Sequence, residues 1–354
     1  MTLLDDLKAV RRIDRSDMLG KAAALPAQCR EGWLQGADWK LPTDWSRLQH
    51  LVILGMGGSA IGGDLLHGMA LKHLSRPLTV NRSYAVPRWV GRQSLVLACS
   101  YSGNTEETLS AAQEAARKGA RLAVLTSGGR LAAWASREGC PLLRIPTGWP
   151  PRSAVGYMTF SPLGLLVRLG WLKRADLPVE ESCGRTEEWI REALAPGIPT
   201  QRNPAKRLAG RLAGRLPVFY GASDGWEGLT YRWRTQMEEN AKTLSFHHLF
   251  PEATHNEISG WLQPRKVLLR CAAVFLTDPA VHPRTARRME FAGRIARRQG
   301  AETISIRASD SLRLARLLKL IALGDFVSIY LGLLYRVDPT PVERVEALKR
   351  YLKG

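Results

Sequence analysis

Residues 100–108, Ser-Tyr-Ser-Gly-Asn-Thr-Glu-Glu-Thr, place small hydroxyl side chains and a glycine directly after an apolar run. This order predicts a strand that ends in a tight loop and opens a helix, with Asn104 capping the helix. A helix N-terminus presents unpaired amides and the positive end of its dipole, which favour a bound anion. Ser100, Ser102 and Thr105 add hydroxyls to that site. No lysine follows at the spacing of a nucleotide P-loop, which indicates a small phosphate ester.

A second glycine-rich loop, residues 55–64, contains Gly58 and Ser59. Its Gly-x-Gly-x-x-Ala pattern also fits a dinucleotide fingerprint. Two features argue against a nicotinamide cofactor: the next strand ends in Asn81-Arg82 with no acidic residue for the ribose, and Ser59 offers a hydroxyl where the loop turns into a helix. We therefore favour a sugar-phosphate loop, with dinucleotide binding and a plain structural turn as alternatives.

Both loops lie in an alternation of apolar runs and helical patterns, which predicts α/β architecture with a doubly wound parallel sheet. Ligands of such sheets bind beyond the carboxyl ends of the strands, where both loops fall. A second alternation follows a helical region at 155–214. The predicted strands are 51–54, 78–80, 95–99, 122–126 and 142–145 in the first alternation, and 218–220, 267–276 and 303–306 in the second.

The proline-rich segment 146–151 is the predicted boundary between two domains, residues 1–150 and 151–354. A chain of 354 residues is long enough for two domains of ordinary size. The first 50 residues are expected to be helical, and parallel sheets flanked by helices are expected in both domains.

The formal net charge of +19 is spread along the chain, with one dense arginine cluster at 284–298. That cluster alternates with apolar residues, which is typical of the solvated face of an amphipathic helix. No basic tail, zinc spacing or RNA-binding aromatic pattern is present, so no nucleic-acid partner is expected. The positive charge would help to attract a sugar phosphate.

Five scattered cysteines have neither metal spacing nor the even number of a disulfide framework, which indicates a reducing compartment. The acidic N-terminus lacks a secretory apolar region. The longest apolar stretch, 318–334, is interrupted by Asp325, so no membrane span is expected. A cytoplasmic protein follows from these features.

Taken together with four motifs further along the chain, the two loops resemble those of proteins with the sugar isomerase (SIS) fold. The likeness is closer to the bifunctional phosphoglucose/phosphomannose isomerases of archaea and some bacteria, and it runs from about residue 50 to the end. The four downstream motifs are Pro-Arg-Ser-Ala-Val-Gly-Tyr at 151–157, Glu-Asn-Ala-Lys at 239–242, His-Asn-Glu-Ile-Ser-Gly at 255–260, and Asp-Pro-Thr-Pro-Val at 338–342 with Leu-Lys at 348–349.

This resemblance implies interconversion of glucose 6-phosphate and mannose 6-phosphate with fructose 6-phosphate through a cis-enediol, without a metal or organic cofactor. The matching positions make Glu239 the base that carries a proton between C1 and C2, and Arg152 the group that stabilises the enediolate. They make His255 a ring-opening group contributed by the neighbouring subunit, which implies a homodimer. Without the resemblance, Glu238 and Glu239 are indistinguishable.

The last helical pattern places Lys349 within an apolar stripe, so its side chain is expected to point inward. Thr340 is expected to cap this helix, with Glu343 completing a capping box. The resemblance implies that Lys349 assists ring opening or holds the sugar hydroxyls, and that Thr340 leaves room for rotation about C2–C3.

Three other functions remain open. His247, His248 and His255 suggest a metal site, but no compact ligand pattern is present. A non-catalytic phosphosugar-binding regulator would lack the Glu, His and Lys set and usually carries a DNA-reading domain, for which the first 50 residues are too short. An isomerase of another phosphosugar, such as an amino or pentose phosphate, is the third. The arginine excess and the His247-His248 pair have no functional explanation from the sequence.

Overall fold

Two parallel β-sheets, one in each half of the chain, organise this computed structural model, which describes residues 2–352. This confirms the predicted α/β class with two doubly wound units. The strands are β1 (His50–Leu54), β2 (Leu78–Asn81), β3 (Ser94–Ser100), β4 (Arg121–Thr126) and β5 (Leu142–Arg144) in the first sheet, and β6 (Leu216–Ala222), β7 (Phe246–Phe250), β8 (Cys271–Thr277) and β9 (Glu302–Arg307) in the second.

Helices cover both faces of the sheets and fill the space between them. The helices are α1 (Leu7–Ile13), α2 (Met18–Ala23), α3 (Leu25–Ala37), α4 (Gly57–Ala70), α5 (Glu106–Arg117), α6 (Gly129–Arg137), α7 (Val155–Arg168), α8 (Val179–Trp189), α9 (Pro204–Leu212), α10 (Glu227–Asn240), α11 (Glu257–Gly260), α12 (Arg265–Leu268), α13 (Pro283–Arg298), α14 (Arg313–Leu334) and α15 (Glu343–Tyr351).

The first sheet has the strand order β2-β1-β3-β4-β5, and all its pairings are parallel. Every residue of β3 is buried because helices cover both faces, which explains its continuous apolar run. The order reverses between β1 and β3, and this switch point opens a crevice beyond their carboxyl ends. The two loops predicted to bind phosphate leave the sheet there.

The second sheet repeats this arrangement with the order β7-β6-β8-β9. Strand β7 was absent from the sequence prediction, because this exposed edge strand has no continuous apolar run. The strand expected at 267–276 begins only at Cys271, since residues 265–268 form the short helix α12. The arginine-rich helix α13 is amphipathic, as predicted, with Met289 and Ala296 buried and Phe291 exposed.

Helix α14 is long and apolar enough to cross a membrane by length and composition alone, but it is almost wholly buried within the protein. It packs against α8, α9 and α10 and is therefore a core helix. Asp325, which interrupts its apolar sequence, forms a buried ion pair with Arg232 of α10 at 2.8 Å.

Helices α3 and α7 pack closely across the predicted domain boundary. A Cβ atom at Gly36 would lie 2.0 Å from the Ser161 carbonyl oxygen, so only glycine permits this approach. The first 50 residues are mainly helical, as expected, and they pack against the segment that follows the boundary. The division at 150/151 stays a prediction.

Candidate functional site

Four hydroxyl-bearing residues meet at the switch point of the first sheet. The Tyr101 amide donates to Ser59 Oγ at 3.2 Å, which ties the start of α4 to the end of β3. Ser100 Oγ lies 2.9 Å from Thr105 Oγ1, and it also accepts the Gly103 amide at 3.1 Å. Ser59 and Ser100 are buried, whereas Ser102 is exposed at the rim. The crevice therefore presents hydroxyls beside the N-termini of α4 and α5, as an anion site requires.

The predicted capping by Asn104 is wrong. Helix α5 begins at Glu106 with Thr105 in the capping position, and no side chain caps it. Asn104 Oδ1 instead accepts the Arg130 amide at 3.1 Å, so its side chain joins this loop to the start of α6. The N-terminal amides of α5 consequently remain free of a competing side-chain cap.

Gly58 joins the loops that were predicted to bind phosphate to the second group of predicted residues. A Cβ atom at Gly58 would lie 3.0 Å from the Pro151 carbonyl oxygen and 3.2 Å from Arg152 Cα. Contacts this short are tighter than ordinary van der Waals contact, so a side chain here would force a shift. Glycine therefore lets the first turn of α4 lie directly against the turn that carries Arg152.

Arg152 is 3% exposed, and its guanidinium reaches two separate segments of the chain. Nη1 donates to Glu239 Oε2 at 3.4 Å, and Nε donates to Asn240 Oδ1 at 2.6 Å. Nη2 donates to the carbonyls of Pro339 and Thr340 at 2.7 and 2.9 Å. Burial lowers the pKa of Arg152, and the Glu239 charge opposes that shift. The structure thus brings together Arg152, Glu239 and Thr340.

Buried polar groups hold this arginine in place. Asn240 Nδ2 donates to Ser328 Oγ at 2.9 Å, which fixes the amide that accepts from Arg152. Arg232 donates to the Arg152 carbonyl at 3.1 Å and is itself paired with Asp325. None of these residues was predicted from the sequence to have a role. The only available signal was the Glu-Asn-Ala-Lys motif, which contains Asn240.

Lys349 does not point inward, and this prediction is wrong for the chain as described. Its side chain is 62% exposed and pairs with Glu346 at 2.6 Å. Helix α15 has no buried residue, because its apolar stripe faces solvent instead of the core. The predicted cap is also wrong: α15 starts at Glu343 without a side-chain cap, and Thr340 Oγ1 has no hydrogen-bond partner.

His255 lies on an exposed turn between β7 and α11, and no contact joins it to Arg152 or Glu239 in the described structure. The neighbouring His248 hydrogen-bonds Glu257, which also accepts from the Tyr220 hydroxyl. Within residues 2–352, no group of three or more His, Cys, Asp or Glu side chains is arranged to hold a metal ion.

His247 stacks on Tyr231 with ring centroids 5.1 Å apart. Burial and the charge of Arg234 lower the pKa of His247 to about 4, so its ring is neutral at physiological pH. The His247-His248 pair therefore contributes packing and a hydrogen bond at a sheet edge.

The switch point of the second sheet differs chemically from the first. Asp224 follows β6 there, and Asp278 follows β8 and pairs with Arg316 at 2.5 Å. Carboxylates at these positions disfavour a phosphate. The switch point of the first sheet therefore has the character of an anion site, whereas that of the second sheet does not. The second half of the chain contributes Glu239, from the end of α10, to the candidate site.

The assembled site places an anion crevice beside a buried guanidinium and a partly exposed carboxylate. A carboxylate in this position can move a proton between adjacent carbons of a ligand anchored by its phosphate. The guanidinium can stabilise the oxyanion that forms when a proton leaves the carbon next to a carbonyl.

Comparison with protein families matches residues 201–352 to the bacterial phospho-glucose isomerase C-terminal SIS domain. A bifunctional phosphoglucose/phosphomannose isomerase of Caldicellulosiruptor bescii is 39% identical over 328 residues, which cover 93% of this chain and 96% of that protein. An Aquifex aeolicus protein of the same description is 34% identical, over 91% of this chain and 97% of its own length.

Among solved structures, a hypothetical protein from Thermus thermophilus is similar in fold. Its TM-score is 0.74 at 20% identity, covering 99% of this chain and 95% of that chain.

Proposed function

This chain belongs to the bifunctional phosphoglucose/phosphomannose isomerase family, and we propose on that premise a division of labour within its site. The reaction is the interconversion of glucose 6-phosphate and mannose 6-phosphate with fructose 6-phosphate through a cis-enediol. The observation that carries the proposal is the contact of Arg152 with Glu239, next to the hydroxyl-lined crevice.

The phosphate binds at the first switch point, held by Ser59, Ser100, Ser102 and Thr105 and by the amides that follow Gly58. This anchor directs the sugar carbons toward Arg152, because the start of α4 lies against the Arg152 turn. A phosphate grip remote from the reacting carbons converts binding energy into orientation.

Glu239 removes the proton from one of the two carbons C1 and C2 and returns it to the other. The nascent negative charge on the enediolate oxygens is stabilised by Arg152, whose position is set by Asn240 and by the 339–340 carbonyls. The carbonyl of the open-chain sugar acidifies the neighbouring C–H, so the step needs no metal or organic cofactor.

His255 and Lys349 open the sugar ring in this proposal, and His255 acts on the site of the partner subunit in a homodimer. The exposure of both side chains in the single chain supports a site that is completed by a second copy. A histidine suits ring opening, because its unperturbed pKa lies near neutrality. The five free cysteines agree with a reducing compartment, and we place the protein in the cytoplasm.

Glu239→Gln tests the assignment of the base. We expect kcat for fructose 6-phosphate to fall by about 10²- to 10⁴-fold toward both aldoses, which is the typical contribution of a general base. The affinity for fructose 6-phosphate, measured by calorimetry, should change little, since the phosphate loops remain intact. Coupled assays would measure the formation of glucose 6-phosphate and of mannose 6-phosphate separately.

Glu238→Gln is the matched control, because Glu238 pairs with Arg234 on the outer side of α10 at 3.1 Å. Its kcat should equal that of the wild type. Full turnover by Glu239→Gln would remove Glu239 from the mechanism. A panel of amino and pentose phosphates tested on the wild type separates this substrate class from other phosphosugars.

A further inference from the structure

The ammonium of Lys242 donates three hydrogen bonds, all to backbone carbonyls. The acceptors are Glu239 at 2.5 Å, Pro341 at 2.6 Å and Pro339 at 3.2 Å. A lysine ammonium has three donors, so its hydrogen-bonding capacity is fully used. One side chain therefore ties the end of α10, which carries Glu239, to the segment 339–341.

The backbone of Lys242 is in the left-handed region, with φ of +54°. This conformation is uncommon for a residue with a side chain and persists where surrounding contacts impose it. Here it turns the chain directly after α10 and Ala241, and the lysine side chain reaches back to the Glu239 carbonyl. The local conformation and the three hydrogen bonds support each other.

The segment 339–341 faces the same site from the opposite side. The Pro339 carbonyl accepts from both Lys242 and Arg152, and the Thr340 carbonyl accepts from Arg152. Two cations thus hold the backbone on either side of Thr340. Within the described residues, the Thr340 hydroxyl is buried and has no hydrogen-bond partner.

We propose that Lys242 is a positioning residue that sets the distance between Glu239 and the Thr340 segment, and that it thereby controls the aldose ratio, which is the ratio of the initial rates at which the two aldoses form from fructose 6-phosphate. This inference rests on the proposed isomerase function. Glucose 6-phosphate and mannose 6-phosphate differ in the face of C2 that receives the proton. A single carboxylate delivers the proton to the face of C2 that is turned toward it. The Thr340 segment, opposite Glu239, therefore decides which face of C2 is presented.

The charges around this ammonium also predict a pH dependence. The groups that act on it are Arg152, Glu239, Asp338 and Glu343. Lys242 as a whole residue is exposed, and its ammonium lies among three backbone carbonyls. Burial and the Arg152 charge lower the pKa of Lys242 to about 8. The ammonium is charged below this value and loses its proton as pH rises through about 8, which weakens the three hydrogen bonds.

The experiment uses fructose 6-phosphate as the substrate of wild type, Lys242→Met and Lys242→Arg. The formation of each aldose is measured below and above pH 8. In Lys242→Met we expect kcat to fall by about 10- to 100-fold, as for a displaced catalytic group, with a smaller change in KM. The aldose ratio of Lys242→Met should differ from that of the wild type. It should also no longer change as the pH passes through 8. Lys242→Arg should retain an aldose ratio close to that of wild type below pH 8 without the alkaline change, because arginine stays protonated.

Lys118→Met is the matched control, since the Lys118 ammonium also donates to two backbone carbonyls, Val86 and Pro87, but at the far end of α5. Its kcat and aldose ratio should equal those of the wild type. Binding of fructose 6-phosphate to Lys242→Met, measured by calorimetry, shows that this variant is folded. If Lys242→Met is not folded, the comparison of Lys242→Arg with the wild type is the test.

An unchanged aldose ratio and kcat in folded Lys242→Met, or a change near pH 8 that persists in Lys242→Arg, would overturn the assignment of Lys242. Absence of isomerisation by the wild type would instead contradict the proposed function, and the inference would fall with it.

Discussion

Arg152 shows how one residue can organise a site from distant parts of the chain. Its planar guanidinium presents five donors in fixed directions, which a lysine could not reproduce. These donors reach a carboxylate, a side-chain amide and two carbonyls. The arginine is thereby held in one orientation before a substrate arrives, and such preorganisation is the main source of electrostatic stabilisation in enzymes.

Replacing Asn240 by alanine tests whether this orientation matters for catalysis. The variant leaves the buried Arg152 Nε without its acceptor and removes the amide that donates to the buried Ser328 hydroxyl. We expect the free energy of unfolding to fall by about 1–3 kcal/mol, and kcat to fall more strongly than KM rises. Urea unfolding and steady-state kinetics measure the two effects.

Ser328→Ala provides the comparison, because it removes the partner of Asn240 but leaves the bond from Asn240 to Arg152 in place. It should lose stability with a smaller effect on kcat. Equal kcat in Asn240→Ala and wild type would show that Asn240 only stabilises the fold.

At the level of elements, the two halves share a strand order but not a ligand site. In both sheets the strand order reverses between the first and third strands, yet glycine- and serine-rich loops follow both of these strands only in the first sheet. The second sheet has Asp224 and Asp278 at the equivalent edge. The second unit instead contributes the end of α10 and the segment after α14, so each unit supplies a different part of the site.

Gly58→Ala tests the contact between these two parts. The added methyl would lie 3.0 Å from the Pro151 carbonyl and would push the start of α4 away from the Arg152 turn. We expect the stability to fall by about 1–3 kcal/mol, as in other overpacked sites. The KM for fructose 6-phosphate should rise, since the phosphate anchor moves relative to Arg152.

Gly210→Ala is the control for this substitution, because Gly210 lies in α9 with open space around its Cβ position. It should gain about 0.5–1 kcal/mol in stability, the usual effect of alanine over glycine in a helix, and keep the wild-type KM. An unchanged KM in Gly58→Ala would show that the contact between the start of α4 and the Arg152 turn does not affect substrate binding.

At the scale of the whole molecule, two residues proposed for ring opening lie on the surface of the single chain. His255 is exposed on its turn, and Lys349 belongs to α15, which exposes apolar side chains along its length. The exposed apolar residues of α15 are Val345, Leu348, Tyr351 and Leu352. A homodimer would supply a partner surface for groups that a single chain leaves in water.

Mixing two inactive variants tests whether His255 crosses between subunits. Glu239→Gln and His255→Ala, unfolded and refolded together in equal amounts, should recover about a quarter of the wild-type rate, because half of the dimers then carry one intact site. Each variant refolded alone should stay inactive. No recovery, with heterodimers detected by mass spectrometry, would place His255 in the site of its own chain.

The sequence by itself determined the α/β class, the parallel sheets and the two loops of glycine and hydroxyl residues at the strand ends. These features follow from local patterns: buried parallel strands are apolar throughout, and glycine and hydroxyl residues mark where they end. The resemblance in motif order also selected Arg152 and Glu239, which the structure brings together. Local periodicity could not have distinguished Glu239 from Glu238, since the two are adjacent on the last turn of α10 and both are half-buried.

Only the tertiary structure decided the positions of Lys242, Asn240 and Arg232, and the exposure of Lys349. Periodicity shows that a helix has an apolar side, but whether that side meets a core depends on elements remote in sequence. For α14 the helices α8, α9 and α10 supply that core, whereas α15 buries no residue against the part of the chain that the structure describes. The contacts of the Arg152 guanidinium join it to residues 87 to 188 positions away along the chain, so no local pattern could reveal them.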